Sequence, residues 1–351
     1  MRVLVTGGAG FIGSALVRHL VLERGFDVLT VDKLTYAGCL ASLADLDGRP
    51  NHNFLQADIC DEQRMRNAFA EFRPDWVMHL AAESHVDRSI VSAGQFIQTN
   101  VVGTYSLLSA ARGYWERLKG RDRERFRFLH VSTDEVFGSL GRDGYFTEET
   151  PYDPSSPYSA SKAASDHLIK AWHRTYGLPT ILTNCSNNYG PRQFPEKLIP
   201  LTIINALEQS PIRIYGQGLN IRDWLHVDDH VRALVLVASS GRIGETYTIG
   251  SSSERTNLRV VETICQLMDS RFPDRAPHIR LAEYVEDRPG HDFRYAIDAS
   301  RVKQELMWAP RVHFEEGLAA TVDWYLQRGD WWKPLRSAYD GKRLGLPRKA
   351  I

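Results

Sequence analysis

The chain has 351 residues, 43% of them hydrophobic and 25% charged, which is typical of a globular protein and long enough for two lobes. Lysine plus arginine and aspartate plus glutamate both total 43, so the net charge is zero and gives no support for a nucleic-acid-binding surface. The four cysteines form no metal or redox motif, and no apolar run approaches the roughly 18 residues of a membrane span. We therefore expect a cytoplasmic protein with no metal site, no nucleic-acid partner and no membrane association.

Short apolar runs alternate with helical patterns through the first half of the chain. The predicted strands are Arg2–Thr6, Val28–Asp32, Phe54–Asp58, Trp76–Ala81 and Phe128–Ser132. The predicted helices are Ser14–Glu23, Glu62–Phe72, Phe96–Tyr114 and Pro157–Tyr176. Alternation of this kind predicts an α/β fold with a doubly wound parallel sheet that helices cover on both faces.

The pattern becomes irregular after Tyr189-Gly190-Pro191, with more proline, glycine and aromatic residues. We therefore predict a first domain over residues 1–190 and a smaller C-terminal α/β substrate-binding domain over residues 191–351. The run Trp224–Ala238 still has the pattern of a strand followed by a helix, so the segment 222–240 could return to the first domain. We expect the basic tail from Tyr339 onward to be weakly ordered.

A glycine-rich run, Gly7 to Gly13, joins the first predicted strand to the first predicted helix. Glycine here permits a tight turn and a close approach of the backbone to a pyrophosphate, which the free N–H groups of the helix N-terminus can bind. Asp32 ends the second strand 19 positions after Gly13, and its carboxylate can accept from a ribose 2′-hydroxyl and would repel a 2′-phosphate. This favours NAD, although Lys33 keeps NADP as an alternative.

The spacing of Gly7, Gly10 and Gly13 resembles the extended branch of the short-chain dehydrogenase/reductase superfamily, which has a Rossmann sheet. The resemblance continues in Asp58-Ile59, in Leu80-Ala81-Ala82 and at Asn100. It implies that NAD is bound by a set of residues spread along the first domain: Gly7, Gly10, Phe11, Ile12, Gly13, Asp32, Lys33, Leu34, Thr35, Asp58, Ile59, Leu80, Ala81, Ala82, Ser84, Thr99, Tyr158, Lys162 and Asn188.

Tyr158 and Lys162 are four residues apart at the start of a predicted helix, so both can point into one cleft. A phenol has a pKa of about 10, and a nearby cation can lower it enough for the phenol to act as a base. A surface helix would show the same spacing by chance. The position after a dinucleotide-binding run favours catalysis, and the pair resembles the superfamily's Tyr-x-x-x-Lys.

Thr133, Asp134 and Glu135 follow the strand Phe128–Ser132, at the end where open α/β sheets bind ligands. Two adjacent carboxyls can take and give protons in an elimination if their environments separate their pKa values. The run Thr-Asp-Glu-Val-Phe-Gly resembles that of nucleotide-sugar 4,6-dehydratases. The resemblance implies a lyase that oxidises C4, eliminates water across C5 and C6, and returns the hydride to C6.

The same resemblance assigns a role to each catalytic residue. Tyr158 would deprotonate the C4 hydroxyl, to which Thr133 would hydrogen-bond. Glu135 would remove the C5 proton and Asp134 would protonate the leaving C6 hydroxyl. Epimerases of the same branch usually carry a small hydroxyl residue in place of these two carboxyls.

Three polar clusters in the second half, at 187–200, 214–230 and 287–292, resemble the substrate lobe of the dTDP-glucose 4,6-dehydratase family. The resemblance extends from Met1 to about Ser337. It implies dTDP-glucose as the substrate, with Arg222 and Arg288 clamping the pyrophosphate, and a homodimer formed through Phe96–Tyr114 and Pro157–Tyr176. The implied substrate contacts are Ser84, His85, Thr133, Asn187, Glu196, Lys197, Leu198, Arg213, Tyr215, Arg222, Asn257, Arg288 and His291.

Two questions stay open at the level of sequence. A UDP-hexose 4,6-dehydratase or 4-epimerase is the alternative function, although the Arg-Asp-Trp-Leu-His run favours dTDP. His79 and His130 lie near predicted strand ends without a metal-ligand partner at helical or turn spacing, and we expect them to be packed or solvated.

Overall fold

The computed structural model of the chain describes residues 1–338. Twelve strands lie within this range. They are β1 (Arg2–Thr6), β2 (Asp27–Asp32), β3 (His52–Gln56), β4 (Trp76–His79), β5 (Arg127–Thr133), β6 (Thr180–Cys185), β7 (Asn187–Tyr189), β8 (Ile212–Tyr215), β9 (Ile221–His226), β10 (Thr246–Ile249), β11 (Glu254–Thr256) and β12 (Ala282–Val285).

Thirteen α-helices lie between and after these strands in the described part of the chain. They are α1 (Phe11–Arg18), α2 (Glu62–Phe72), α3 (Val86–Val91), α4 (Ala93–Phe96), α5 (Thr104–Trp115), α6 (Gly120–Arg125), α7 (Pro157–Tyr176), α8 (Leu198–Leu207), α9 (Val227–Ser240), α10 (Asn257–Arg271), α11 (Ser300–Leu306), α12 (Phe314–Gln327) and α13 (Gly329–Ala338). Within residues 1–338, none of them combines the length and the apolarity needed to cross a membrane.

The main sheet has seven strands in the order β10-β6-β5-β4-β1-β2-β3, and every neighbouring pair is parallel. The chain runs outward from β1 to β3, crosses back to β4 and then continues outward on the other side. This reversal lies between β1 and β4, where doubly wound sheets bind ligands beyond the carboxyl ends of their strands. The doubly wound parallel sheet predicted from the sequence is confirmed.

Helices cover both faces of this sheet, as its nearly continuous apolar strands require. On one face, Leu16 of α1 and Val231 of α9 belong to a single buried cluster. On the other face, Phe69 of α2, Leu107 of α5 and Ile169 of α7 form a second one. The sheet is therefore buried from both sides, and its polar groups concentrate at the strand ends.

The sequence reproduced several element bounds and missed two helix irregularities. Predicted helices Glu62–Phe72 and Pro157–Tyr176 have the bounds of α2 and α7. Predicted helix Ser14–Glu23 begins earlier, at the start of α1, and finishes as a π-helical turn over His19–Glu23. Predicted helix Phe96–Tyr114 is likewise interrupted by a π-helical stretch, Ile97–Gly103, because apolar periodicity does not distinguish π from α turns.

Helix α7 carries two of the predicted catalytic residues, and local sequence sets both of its ends. The Ser156 hydroxyl accepts from the backbone N–H of Ser159 while the Ser159 hydroxyl bonds back to Ser156, which forms a capping box. Pro157 occupies the first turn, where no helical N–H is required. Gly177 closes the helix with a φ of 72°, a left-handed conformation that glycine adopts without strain.

A second, smaller unit packs over the carboxyl edge of the main sheet. It contains a three-stranded sheet, β11-β9-β7, and a two-stranded sheet, β12-β8. Its core surrounds Tyr189, Tyr325, Trp331 and Trp332. The chain also returns from it, since α9 packs in the main core and β10 pairs with β6. The domain division at residue 190 stays a prediction, and the tail at 339–351 lies outside the described residues.

Candidate active site

The loop after β1 is packed so tightly that two of its positions admit only glycine. Gly7 has a φ of 70°, and a Cβ there would lie 2.6 Å from the backbone nitrogen of Ala81. A Cβ on Gly13 would lie 2.1 Å from the carbonyl oxygen of Gly7. The backbone of this loop is therefore held close to the first turn of α1, as the dinucleotide-binding prediction requires.

The N-terminus of α1 faces a cavity of about 320 Å³. Gly10 precedes the helix in an extended conformation, and no side chain caps the helix. The first N–H groups and the positive end of the helix dipole are thus left to bind an anion such as a pyrophosphate.

Asp32 and Lys33 line this cavity, and their contacts favour NAD over NADP. The Asp32 carboxylate accepts from the backbone N–H of Ala9 (2.9 Å) and of Leu34 (2.8 Å), although burial raises its pKa. The Lys33 ammonium lies 2.6 Å from the Asp58 carboxylate. Because Asp58 neutralises the cation that kept NADP as an alternative, this end favours an unphosphorylated ribose.

All predicted NAD contacts except Leu34 line this cavity. Leu34 has a φ of 58°, its side chain packs against the core cluster that contains Leu16 and Val231, and its backbone N–H donates to Asp32. The lining residues predicted from the sequence are Gly7, Gly10, Phe11, Ile12, Gly13, Asp32, Lys33, Thr35, Asp58, Ile59, Leu80, Ala81, Ala82, Ser84, Thr99, Tyr158, Lys162 and Asn188.

The predicted catalytic residues meet in the same cavity. Thr133 ends β5, and Asp134 and Glu135 begin the 3-10 turn that follows it. The Thr133 hydroxyl donates to Asp134 (3.3 Å) and accepts from the backbone N–H of Glu135 (3.2 Å). Tyr158 and Lys162 line the cavity from α7. The fold therefore brings both carboxyls and the phenol to one place.

The two adjacent carboxyls have different environments. Asp134 is 2% exposed, and its pKa is raised well above the ordinary value, first by burial and then by the charge of Glu135. Burial also raises the pKa of Glu135, but Arg288, Arg222 and Lys197 act against that rise. Asp134 is thus suited to remain a protonated acid while Glu135 serves as the base.

Tyr158 and Lys162 depart from the simple picture of a cation that activates a phenol. The pKa of Tyr158 is raised well above its usual range by burial and by Glu135, and a hydrogen bond from Thr133 opposes the rise. The Lys162 ammonium donates to the carbonyl oxygen of Val131 (2.9 Å) and lies 3.3 Å from Nε2 of His130. Lys162 is therefore anchored on β5, one helical turn from the phenol.

A second cavity, of about 390 Å³, adjoins the first and shares Ser84, Glu135, Asn187 and Lys197 with it. Every predicted substrate contact except Thr133, which lines the first cavity, lines this one. They are Ser84, His85, Asn187, Glu196, Lys197, Leu198, Arg213, Tyr215, Arg222, Asn257, Arg288 and His291. The predicted substrate and cofactor positions thus form one continuous space that meets at the catalytic carboxyls.

The two arginines predicted to clamp a pyrophosphate differ in how they are held. Arg222 uses both terminal nitrogens on backbone carbonyls and lies over the Tyr295 ring at 4.1 Å. Arg288 pairs with Asp87 at 2.8 Å, and its Nε is buried without a hydrogen-bond partner among the described residues. Arg222 is therefore a fixed positive charge, whereas Arg288 retains a donor for an anionic ligand.

Sequence reasoning missed the residues that hold these contacts in place. The Tyr36 hydroxyl donates to Glu196 (3.1 Å), and the Arg88 guanidinium lies 3.8 Å over the Tyr36 ring. Asp87 accepts from Arg288 and from the Tyr215 hydroxyl (3.3 Å). The one sequence feature that could have indicated them is the polar run Ser84–Arg88, which follows the predicted NAD contacts Leu80, Ala81 and Ala82.

Comparison with known proteins identifies the family. A family model described as GDP-mannose 4,6 dehydratase matches residues 4–321. A probable dTDP-glucose 4,6-dehydratase of Sinorhizobium fredii is 59% identical over 351 residues, which is 100% of both chains. The dTDP-glucose 4,6-dehydratase of Neisseria meningitidis serogroup B is 57% identical over 98% of this chain and 99% of its own. The chain belongs to the dTDP-glucose 4,6-dehydratase family.

Solved structures from this family share the fold over nearly the whole chain. The Bacillus anthracis dTDP-glucose 4,6-dehydratase in complex with NAD matches with a TM-score of 0.85 and 44% identity, over 95% of this chain and 99% of that one. The Streptomyces venezuelae enzyme with NAD bound gives a TM-score of 0.87 and 44% identity, over 95% and 100%. The Thermotoga maritima UDP-glucose 4-epimerase has a TM-score of 0.82 at 30% identity, over 93% and 99%.

We expect Gly13→Ala to weaken NAD binding by at least about tenfold, or about 1.4 kcal/mol. The added methyl group would meet the Gly7 carbonyl oxygen and push the loop away from its packed position. The measurement is the NAD content of purified protein together with a titration of protein stripped of NAD. Gly141→Ala is the matched control, because a Cβ there meets nothing within 4 Å, and wild-type affinity in the Gly13 variant would contradict the assignment.

Proposed function

We propose that the protein catalyses the NAD-dependent dehydration of dTDP-glucose to dTDP-4-keto-6-deoxyglucose, a lyase reaction. The observation that carries the proposal is the pair Asp134–Glu135: both carboxyls line the first cavity together with Tyr158, and Glu135 also lines the second. Full-length relatives named dTDP-glucose 4,6-dehydratase, at 54–59% identity, support the choice of substrate.

The first cavity fits NAD, as the tight glycine loop, the uncapped helix N-terminus and the Lys33–Asp58 pair indicate. NAD, when bound, supplies a positive nicotinamide ring that accepts a hydride from C4 of the sugar and returns it to C6. The residues that would hold it are the lining residues named above.

In the first half-reaction, Tyr158 takes the proton of the C4 hydroxyl. The hydrogen bond with Thr133 lowers the pKa of the Tyr158 phenol. A cation one helical turn away, Lys162, favours the phenolate by its charge. Burial acts against the phenolate, so the site depends on these positive and hydrogen-bonding groups. The exclusion of water strengthens each of them.

In the second half-reaction, Glu135 removes the C5 proton, which the new C4 ketone acidifies. Asp134, kept protonated by burial, gives its proton to the C6 oxygen, and water departs. Glu135 then returns its proton to C5. The two carboxyls work as a pair because Arg288, Arg222 and Lys197 all favour the charged form of Glu135, whereas of these three only Arg222 acts on Asp134, whose pKa is also raised by the charge of Glu135.

Proton accounting adds one requirement to this scheme. After one turnover Tyr158 carries the proton taken from the C4 oxygen, and Asp134 lacks the proton given to water. The starting state returns when one proton passes from Tyr158 to Asp134. The Thr133 side chain hydrogen-bonds both groups and so provides a short path for it.

The alternative of a 4-epimerase rests on the same fold, since UDP-glucose 4-epimerases are structural neighbours at 30% identity. An epimerase exchanges hydride at C4 and has no use for an acid and a base at C5 and C6. Two buried carboxyls that line the first cavity therefore favour dehydration.

The deciding experiment incubates the purified protein with dTDP-glucose, UDP-glucose and a GDP-hexose and measures the product mass. We expect dTDP-glucose to lose one water and the other two to react much more slowly. An unchanged mass with an altered sugar would establish an epimerase. Loss of water from UDP-glucose at the same rate would refute the choice of dTDP.

We expect the double variant Asp134→Asn, Glu135→Gln to oxidise C4 but to dehydrate at least about 10²-fold more slowly, because it lacks the acid and the base. Reduced NAD should then accumulate, measured by its absorbance after rapid mixing. Tyr158→Phe is the comparison variant and should lose at least about 10²-fold with no accumulation of reduced NAD, since it lacks the first base. Full turnover in the double variant would refute the acid–base roles.

We also propose that the protein is a homodimer in the cytoplasm. Four free cysteines suit a reducing compartment. Helices α5 and α7 expose an aromatic surface in which Tyr105 lies against Trp172 (5.9 Å between ring centroids), and Trp172 lies against Tyr176 (5.4 Å). Exposed aromatic surface of this kind commonly marks a protein–protein contact.

We expect sedimentation at micromolar concentration to show a dimer. Tyr105→Asp should weaken dimerisation by at least about tenfold, because the dimer interface would have to bury a charge in place of the aromatic ring. Met307→Asp, at an exposed apolar position outside this surface, is the control and should leave the dimer unchanged. A monomeric wild-type protein would contradict the proposal.

A further inference from the structure

Helix α7 carries a third ionisable residue in line with Tyr158 and Lys162. Asp166 lies four residues after Lys162, so the phenol, the ammonium and the carboxylate share one face of the helix. Asp166 is fully buried, as is nearly all of Lys162. A buried carboxylate needs partners, and those of Asp166 indicate its role.

The link between Asp166 and Lys162 is His130 on β5. Its Nε2 lies 3.3 Å from the Lys162 ammonium nitrogen and 3.3 Å from a carboxylate oxygen of Asp166. Burial and the Lys162 charge lower the pKa of His130 well below its ordinary value, so the ring is neutral. The lysine and the aspartate therefore face each other across a neutral ring, and no water-filled space is needed between them.

Three hydrogen bonds, all to its other oxygen, favour the charged form of Asp166. Its other carboxylate oxygen accepts from the hydroxyls of Ser132 (2.8 Å) and Tyr152 (3.0 Å) and from the amide of Asn184 (3.3 Å). Burial raises the pKa of Asp166 to about 6, and these partners and Lys162 oppose the rise. The carboxylate is thus predominantly ionised at neutral pH.

The other ionisable groups that face Lys162 do not supply a counter-charge of this kind. His79 on β4 is fully buried, and burial depresses its pKa so that it is neutral. Burial raises the pKa of the Cys185 thiol on β6, which keeps it uncharged. Burial raises the pKa of Tyr158, on the same helix, well above its ordinary value, so the phenol is uncharged in the protein without NAD. Among these neighbours, Asp166 is the anion.

We propose that Asp166 is a positioning residue for the reaction: its buried carboxylate, facing Lys162 across His130, keeps the Lys162 ammonium charged and directed along α7. The inference rests on the proposed function, because it takes Lys162 as the cation that assists Tyr158. It assigns a purpose to a buried aspartate and a buried histidine that the chemistry of the sugar does not otherwise use.

The direction of the pH effect follows from the charges. Burial lowers the pKa of Lys162, and Asp166 raises it. Removing the anion lets the first effect act alone, so Lys162 would lose its proton at a lower pH. Activity that requires the ammonium would then decline at a lower pH on the alkaline side of the profile.

The test compares Asp166→Asn with wild type in the pH profile of kcat/KM for dTDP-glucose. We expect the alkaline limb to move to lower pH by about one unit or more, the size of the effect of an opposite charge nearby. Tyr152→Phe is the matched control, because it removes one hydrogen bond from the same carboxylate, which stays charged over the alkaline limb where the comparison is made. An alkaline limb that stays in place in Asp166→Asn, or shifts equally in Tyr152→Phe, would overturn the proposal.

A second readout does not depend on turnover. Lysine labelled with carbon-13 at Cε gives a signal for Lys162, assigned by its absence in Lys162→Met, whose titration midpoint should fall in Asp166→Asn. If that variant does not fold, Asp166→Glu replaces it and should keep the wild-type midpoint; a lowered midpoint there would equally overturn the proposal. Wild-type protein that fails to dehydrate dTDP-glucose would refute the proposed function, while the Lys162 titration would still decide the role of Asp166.

Discussion

The proposed chemistry depends on the burial of the Asp134 carboxyl away from water. A carboxyl in water is ionised at neutral pH and cannot act as an acid, whereas burial at this strand end raises the pKa of Asp134 well above its ordinary value and favours the protonated form. Its neighbour Glu135 shares the same turn yet faces two arginines of the smaller unit. The opposite roles proposed for these adjacent carboxyls thus rest on one difference: Arg288 and Lys197 favour the charge of Glu135, whereas the charge of Glu135 raises the pKa of Asp134 further.

The fold explains why this separation occurs at one particular edge. The carboxyl ends of β1, β4, β5 and β6 all lie at the same side of the main sheet, so the glycine loop, the cofactor wall and the catalytic turn converge there. The smaller unit packs over this edge and supplies Arg222 and Arg288. Their charges affect the pKa values of the carboxyls on the main sheet, so these values depend on both units.

The sequence predicted features that depend on residues close together in the chain, and it missed contacts between residues that are far apart in the chain. The Gly7–Gly13 loop, the strand-end carboxyls and the Tyr158–Lys162 spacing depend on neighbours within a few residues, and the structure brings them together as expected. Contacts such as Arg288 with Asp87, 201 positions apart, carry no periodic signal. Leu34 was predicted as an NAD contact through the family resemblance, and the structure does not place it among the residues that line the first cavity. His130 was expected to be packed or solvated; it is packed, and its contact with Lys162 could not be read from spacing.

Dehydration with an internal hydride return consumes neither an oxidant nor, overall, a proton. Every group that changes state must therefore be restored within the site, and a closed site limits exchange with solvent between steps. The hydrogen bonds of Thr133 to both Tyr158 and Asp134 connect the group that gains a proton with the group that loses one. Burial excludes water from the site. This makes each ionisation costly, and it also keeps water away from the sugar intermediate. Burial thus both favours the protonated form of Asp134 and shields the sugar intermediate from water. The charges of Lys162 and Asp166, which lie behind the site, must for the same reason be stabilised by protein groups.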